Sequence, residues 1–146
     1  MGWTFRDREG IQTTGTLLWE YLQTLHTTHA IPYANMALLG FSQGGMQALY
    51  SAPRGPHAIG ALIAHSACLM WQEELNPATC QKPPTLLLHG YEDDMVPADQ
   101  TVNAATGLEK LGFPVEKHIL PGLGHGLNAQ SLAYISVFLS ETLPNK

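Results

Sequence analysis

Gly40-Phe41-Ser42-Gln43-Gly44 is the stretch that decides how this chain reads. It follows a short apolar run, Met36 to Leu39, and precedes a helix-like run, Gly45 to Ser51. A serine framed by glycines between a strand and a helix is the setting of a nucleophile elbow. The turn pushes the serine hydroxyl out at the carboxyl end of the sheet. Gly40 and Gly44 are expected to be small because the strand and helix backbones pass close together there. The amide of Gln43, one residue past the serine, would point the same way as the hydroxyl and could donate to an oxyanion. Taken alone, G-x-S-x-G also describes an ordinary polar turn, so the flanking chain has to decide.

Upstream, Ile11, Thr14, Leu18, Leu22 and Leu25 recur at helical spacing and predict an amphipathic helix from Ile11, with Asp7 placed to cap it. Its threonines and Gly15 are weak helix formers, so packing must hold it. Ile31-Pro32 and Asn35 end the segment. Downstream of the elbow, Pro53, Gly55 and Pro56 are expected to stop the helix at Ser51. Ile59 to His65 is a continuous apolar run, typical of a strand buried on both faces. An irregular stretch, 66–81, precedes a third strand, Pro84 to Gly90. Asp99 is expected to cap a helix over Gln100–Leu111 that Gly112 closes. Val115 to Leu120 is a fourth strand. Leu127 to Leu143 is a last helix, with Leu132, Ile135, Ser136 and Leu139 on its inner face. Strands alternating with helices predict an α/β fold with a mainly parallel sheet of about four strands flanked by helices.

Length and composition are compatible with this. The chain has 146 residues, 45% of them apolar, and a net charge of −5. That size predicts one domain over 1–146. The acidic balance and scattered lysines argue against nucleic acid or an anionic membrane as main partner. No run approaches the roughly 18 apolar residues of a membrane span, and the first ten residues lack a signal pattern. The expected compartment is the cytoplasm. Cys68 and Cys80 are too few for a disulfide framework or a zinc site, and read as free thiols. His26 and His29 lie three apart without a third ligand, so no metal site is expected.

Chemistry gathers at the strand ends. The third strand runs into His89-Gly90-Tyr91-Glu92-Asp93-Asp94-Met95-Val96-Pro97, and the fourth into Gly122-Leu123-Gly124-His125-Gly126. Residues just past parallel strands lie at the sheet's carboxyl edge, where open α/β folds place their sites. Ser, then acid, then His is the chain order of an α/β-hydrolase triad. In that reading His125 takes the proton of Ser42 and later returns it to the leaving group. An acid bonds its other ring nitrogen and fixes the tautomer. Both Asp93 and Asp94 are candidates. His89 lies on the strand body, His57 and His118 lack the glycine frame, and His65 precedes Ser66 on an apolar strand; each reads as a core or surface histidine.

These blocks carry a family resemblance. Ile31-Pro32 followed by Met36-Ala37-Leu38-Leu39-Gly40-Phe41-Ser42-Gln43-Gly44-Gly45 resembles the "IP…GFSQGG" block of the phospholipase/carboxylesterase family of α/β hydrolases, which includes acyl-protein thioesterases. His89-Gly90-x-x-Asp93-x-x-Val96-Pro97 resembles its "HGxxDxxVP" block, and Gly124-His125 its histidine loop. The likeness runs from about residue 3 to 140. It implies hydrolysis of carboxyl esters or thioesters through an acyl-enzyme, with no metal or organic cofactor. It also implies Asp93, three residues after Gly90, as the acid, with Asp94 as the alternative. Leu69, Trp71, Met95 and Val96 follow the second and third strands and are candidates for an acyl pocket; the alternative for Trp71 is loop packing.

The family also carries strands before the first helix seen here, with an HG-type loop that supplies a second oxyanion donor. Residues 1–30 contain no such loop, which leaves the Gln43 amide. Losing one donor costs on the order of 10²–10³ in rate. The nucleophile strand would then lie at an open sheet edge, which predicts a homodimer through that edge or through a swapped N-terminal helix. A catalytically weak or silent remnant, serving as a dimerisation or partner-binding module, is the competing expectation.

Overall fold

The computed structural model describes residues 8–144. Among these, four α-helices and four strands follow one another as α1 (Arg8–His29), β1 (Ala37–Phe41), α2 (Gln43–Arg54), β2 (Ala61–His65), β3 (Thr85–Gly90), α3 (Asp99–Lys110), β4 (Val115–Leu120) and α4 (Ala129–Thr142). All strand pairings are parallel and the order across the sheet is β1-β2-β3-β4. The register aligns Gly40 with Ala64, Ala64 with Leu87, and Leu87 with Lys117. β2 and β3 are buried along their whole length, as their unbroken apolar sequences require.

Alternate residues of these strands feed two cores. Leu62, Ala64 and Leu87 pack with Leu22 of α1, Met46 and Leu49 of α2 and Leu108 of α3. Ala61, Ile63, Leu86 and Leu88 pack with Ile135 and Phe138 of α4 on the opposite face. The sheet is therefore a middle layer between helices, the architecture expected of a truncated α/β-hydrolase core.

Four local expectations need correction. α2 extends beyond Ser51 and holds Pro53 in its last turn, ending at Arg54 with Gly55 as cap. A proline that close to the end removes little of the helix ladder, and its carbonyl accepts the Gln81 N–H at 2.9 Å. α3 begins at Asp99 itself; Ala98 occupies the cap position, with no side-chain cap bond. α4 begins at Ala129, two residues later than expected, because Asn128 caps it in a reciprocal box with Ser131. Its buried face is Ser131, Ile135 and Phe138, while Leu132 is 57% exposed. Asp7, expected to cap α1, lies outside the described residues.

β1 pairs with β2 alone among the described residues and forms one edge of the sheet. Leu39 and Phe41 are aligned with Ile63 and His65, so they share the face that α4 covers over β2 and β3. Leu39 is 54% exposed there.

Candidate active site

Ser42 sits between β1 and α2 with φ 55° and ψ −117°, a conformation that disfavours any residue with a Cβ. Such geometry costs about 1–3 kcal/mol and persists only where the surroundings enforce it. Here the Ser42 N–H donates to the His65 carbonyl at 2.8 Å, and the Ser42 carbonyl accepts from Met46 N–H at 3.0 Å. Gly40 makes room for the turn: a Cβ there would lie 2.2 Å from the Gly44 carbonyl oxygen. Gly45 is the second tight position, with a Cβ 2.8 Å from that of Ala67. Gly44, expected to be tight, is not; a Cβ there meets nothing within 4 Å among the described residues. The close approach falls one residue further into the helix than the motif suggests.

This difference is testable. Gly40→Ala is expected to destabilise the chain by roughly 2–4 kcal/mol, because the obstacle is backbone that cannot rotate away. Gly44→Ala is expected to stay within about 1 kcal/mol of wild type. Urea midpoints decide, and equal losses at the two positions would overturn the assignment.

Gln43 is the first residue of α2. Its amide belongs to the set at a helix N-terminus that lacks an intrahelical acceptor, and the helix dipole adds positive potential there.

The other two elements converge on the serine. His125, on the loop after β4, approaches Ser42 Oγ with its Nε2 at 3.0 Å and Asp93 Oδ2 with its Nδ1 at 2.7 Å. The two loops can meet because Gly90 has no side chain; a Cβ would lie 2.3 Å from the carbonyl oxygens of Leu123 and Gly124. Asp93 Oδ1 accepts the N–H groups of Met95 and Val96, both at 2.9 Å. Burial of the Asp93 side chain would raise its pKa, but the hydrogen bonds from His125, Val96 and Met95 outweigh this and hold it below the usual value. An ionised carboxylate accepts only, so His125 carries its proton on Nδ1. Its bare Nε2 then faces the serine hydroxyl, which can donate to it. A hydroxyl so placed can lose its proton as its oxygen attacks a carbonyl carbon. Asp94 is exposed, and the bond to His125 is made by Asp93.

The pocket candidates separate. Met95 is 59% exposed beside Asp93, whereas Val96 is fully buried in the core and offers no side-chain surface to a ligand. Its main chain serves the site instead. Leu69 packs against the core formed with α2. Trp71 stands edge-on to Tyr50, with its ring centroid 5.9 Å away, and the Arg8 guanidinium lies over it. Tyr50 is two turns along α2 from Ser42, so Trp71 packs the loop. Phe41, by contrast, brings its ring to 4.9 Å from that of His125.

Residues 4–143 match the family described as Phospholipase/Carboxylesterase. The chain belongs to this family. Acyl-protein thioesterase 1 of Gibberella zeae is 28% identical over 145 residues, which cover 96% of this chain and 61% of the relative. Esterase YpfH of Escherichia coli is 30% identical over 109 residues, 74% of this chain and 45% of the relative. Among solved structures, esterase PE8 superimposes with a TM-score of 0.86 at 36% identity, covering 92% of this chain and 63% of that one. Arabidopsis thaliana SOBER1 does so with a TM-score of 0.78 at 23% identity, covering 93% and 64%, a likeness of fold. The chain spans about 60% of the length of the first two curated relatives it matches. No helix among the described residues is long and apolar enough to cross a membrane.

Within this family core, two histidines do more than fill space. His89 is fully buried; its Nδ1 lies 2.8 Å from Thr101 Oγ1 and its Nε2 2.7 Å from the Val96 carbonyl and 3.2 Å from Asp93 Oδ2. It ties the Asp93 loop to α3. Its place at a strand end beside Gly90 was the available sequence signal. His65 is likewise buried. Burial, then the nearby His89, pushes its pKa down to about 4, and burial also lowers that of His89.

Unfolded histidines titrate near pH 6.5. Between pH 6.5 and about 4 the unfolded chain thus binds more protons than the native one, and stability falls as pH falls. His65 alone accounts for on the order of 3 kcal/mol across that window. Urea midpoints are expected to drop steadily from pH 7 to 4.5, with a shallower slope in His65→Gln. A flat wild-type profile would show that these rings are not held neutral.

Proposed function

We propose that this chain is the catalytic half of a serine hydrolase that cleaves carboxyl esters or thioesters through an acyl-enzyme, with residues 1–146 forming one α/β-hydrolase-like unit. Ser42 is the nucleophile, His125 the base and then the acid, Asp93 the orienting carboxylate, and the Gln43 N–H an oxyanion donor. The observation that carries this is the unbroken hydrogen-bonded path from Ser42 Oγ through His125 to Asp93, at the carboxyl edge of a parallel sheet. Attack by Ser42 forms the tetrahedral adduct, and its proton passes to His125 Nε2. The imidazolium protonates the leaving alkoxide or thiolate as the acyl-enzyme forms. Water, deprotonated by the same nitrogen, then releases the acid and restores the serine.

Phe41 and Met95 give the site an apolar rim, which favours small to medium uncharged acyl groups. The acyl-protein thioesterase subfamily, whose name the Gibberella zeae relative bears, is the finer assignment within this proposal.

A second reading has its own observation. The β1 edge, with exposed Leu39 and Phe41, suits pairing with a second copy, so a silent module that dimerises through this edge is the competing function. Hydrolysis of a p-nitrophenyl ester series of increasing acyl length, run beside fluorophosphonate labelling and light scattering, separates the two. Turnover with labelling of Ser42 supports the hydrolase. A folded dimer with neither supports the module.

A further inference from the structure

The two side chains joined by the Ser42–His125 bond sit on different elements, and one buried residue reaches both the serine's turn and the helix cap that follows the histidine loop. The His65 carbonyl accepts the Ser42 N–H at 2.8 Å. Its imidazole Nε2 lies 2.7 Å from Ser131 Oγ in α4, and its Nδ1 lies 2.8 Å from Ser66 Oγ. Ser131 in turn holds the start of α4. Its N–H donates to Asn128 Oδ1 at 2.9 Å, and its hydroxyl lies 3.2 Å from the same oxygen. Asn128 is three residues past His125. On the upstream side, the histidine loop is pinned to the Asp93 loop by Glu92 N–H donating to the Leu123 carbonyl at 2.9 Å. Downstream, the Asn128–Ser131 box is the anchor, and His65 fastens it to the sheet.

The donor inventory gives this clamp a direction. Asn128 Oδ1 only accepts, so the Ser131 hydroxyl donates to it and has lone pairs left for His65. His65 then carries its proton on Nε2 and donates to Ser131, while the Ser66 hydroxyl donates to the bare Nδ1. No buried side-chain polar atom among the described residues is left unpaired, so the network is closed. His65 and Ser131 are completely buried, and the Phe41 ring packs between the His65 and His125 rings at 5.9 and 4.9 Å.

We propose that His65 is a positioning residue: through Ser131 and the α4 cap it sets where His125 stands relative to Ser42. This rests on the Ser42–His125 assignment made above. Displacements near 1 Å at reacting atoms cost up to about 10²-fold in rate, so a fixed loop has a measurable value.

The test compares two serines that bond the same ring. Ser131→Ala and Ser66→Ala each delete one hydroxyl partner of His65; Ser131→Ala also removes that hydroxyl's bonds to Asn128 and should cost more stability. Only Ser131 is connected to the histidine loop. With a p-nitrophenyl ester, Ser131→Ala is expected to lower kcat about tenfold with KM within about twofold, and Ser66→Ala to keep kcat within about threefold. His65→Gln, whose amide can still donate to Ser131, is expected to keep kcat within about threefold. Equal losses of kcat at Ser66 and Ser131 would make the network merely structural and overturn the proposal.

A second readout needs no turnover. Nitrogen-15 and proton NMR of the histidine rings should show the His125 Nδ1–H in its bond to Asp93 as a far-downfield, slowly exchanging signal. That signal should broaden or vanish in Ser131→Ala and persist in Ser66→Ala. If the wild type is inactive but the signals behave this way, the hydrolase reading fails and the clamp stands. If the signal survives in Ser131→Ala, the clamp fails whatever the activity.

Discussion

Ser42→Ala is expected to abolish fluorophosphonate labelling and to cut ester turnover by at least about 10⁴-fold, and His125→Ala to match it within an order of magnitude. The two losses should not add, because the residues act as one unit. Without the Oγ there is no acyl-enzyme, and without the imidazole the hydroxyl keeps its proton at neutral pH. What survives is the binding and oxyanion contribution, for which the Gln43 amide at the start of α2 is the proposed donor. Fold stability should change little, since Ser42 is only partly buried and its hydroxyl's hydrogen-bond partner is His125 itself. Relief of the strained φ of 55° requires glycine, so alanine keeps the turn. Labelling that persists in Ser42→Ala would identify a different nucleophile and end the assignment.

Asp93→Asn is expected to lower kcat by about 10⁴-fold, against less than about threefold for Asp94→Asn. The physical reason lies in hydrogen-bond chemistry more than in charge alone. Asp93 Oδ1 is committed to the Met95 and Val96 N–H groups, which only donate. An asparagine must therefore place its oxygen there and its NH₂ against His125 Nδ1. That forces the proton to Nε2, the nitrogen that faces Ser42, and the hydroxyl loses its acceptor. The size of the fall should ease as the pH is raised far enough to ionise the serine by other means. A larger loss for Asp94→Asn than for Asp93→Asn would move the acid by one residue. The stability cost should fall on Asp93→Asn as well, because its carboxylate also lies 3.2 Å from His89 Nε2.

Much of this arrangement was legible before any coordinates. Ser42 and His125 each sit among glycines past a strand, and the Asp93-Asp94 pair follows Gly90, so strand-end placement and chain order marked them as candidates, and the family resemblance chose Asp93 of the two. Gly90 was legible as a stop, but not as the gap through which the histidine loop reaches the aspartate. Val96 illustrates the converse. Its hydrophobicity marked it for a pocket, while its side chain is enclosed in the core and its amide does the service to Asp93. Ser131 stood out in no local pattern, yet it is completely buried against His65, 66 residues away at the end of β2. Leu132 reads as core and is 57% exposed for the same reason: the helix is turned to bring Ser131 to His65.

The alternation of strand and helix, the elbow, and Ser42, His125 and the Asp93-Asp94 pair as candidates were legible in the sequence alone, since each depends on local spacing and on residue type at a strand end. The tertiary structure decided which carboxylate meets His125, which glycines are tight, where Trp71 and Val96 point, and that His65 joins the nucleophile turn to α4. Those facts depend on contacts between segments far apart in the chain, and their distances follow from how the layers pack on the sheet, which no local pattern encodes.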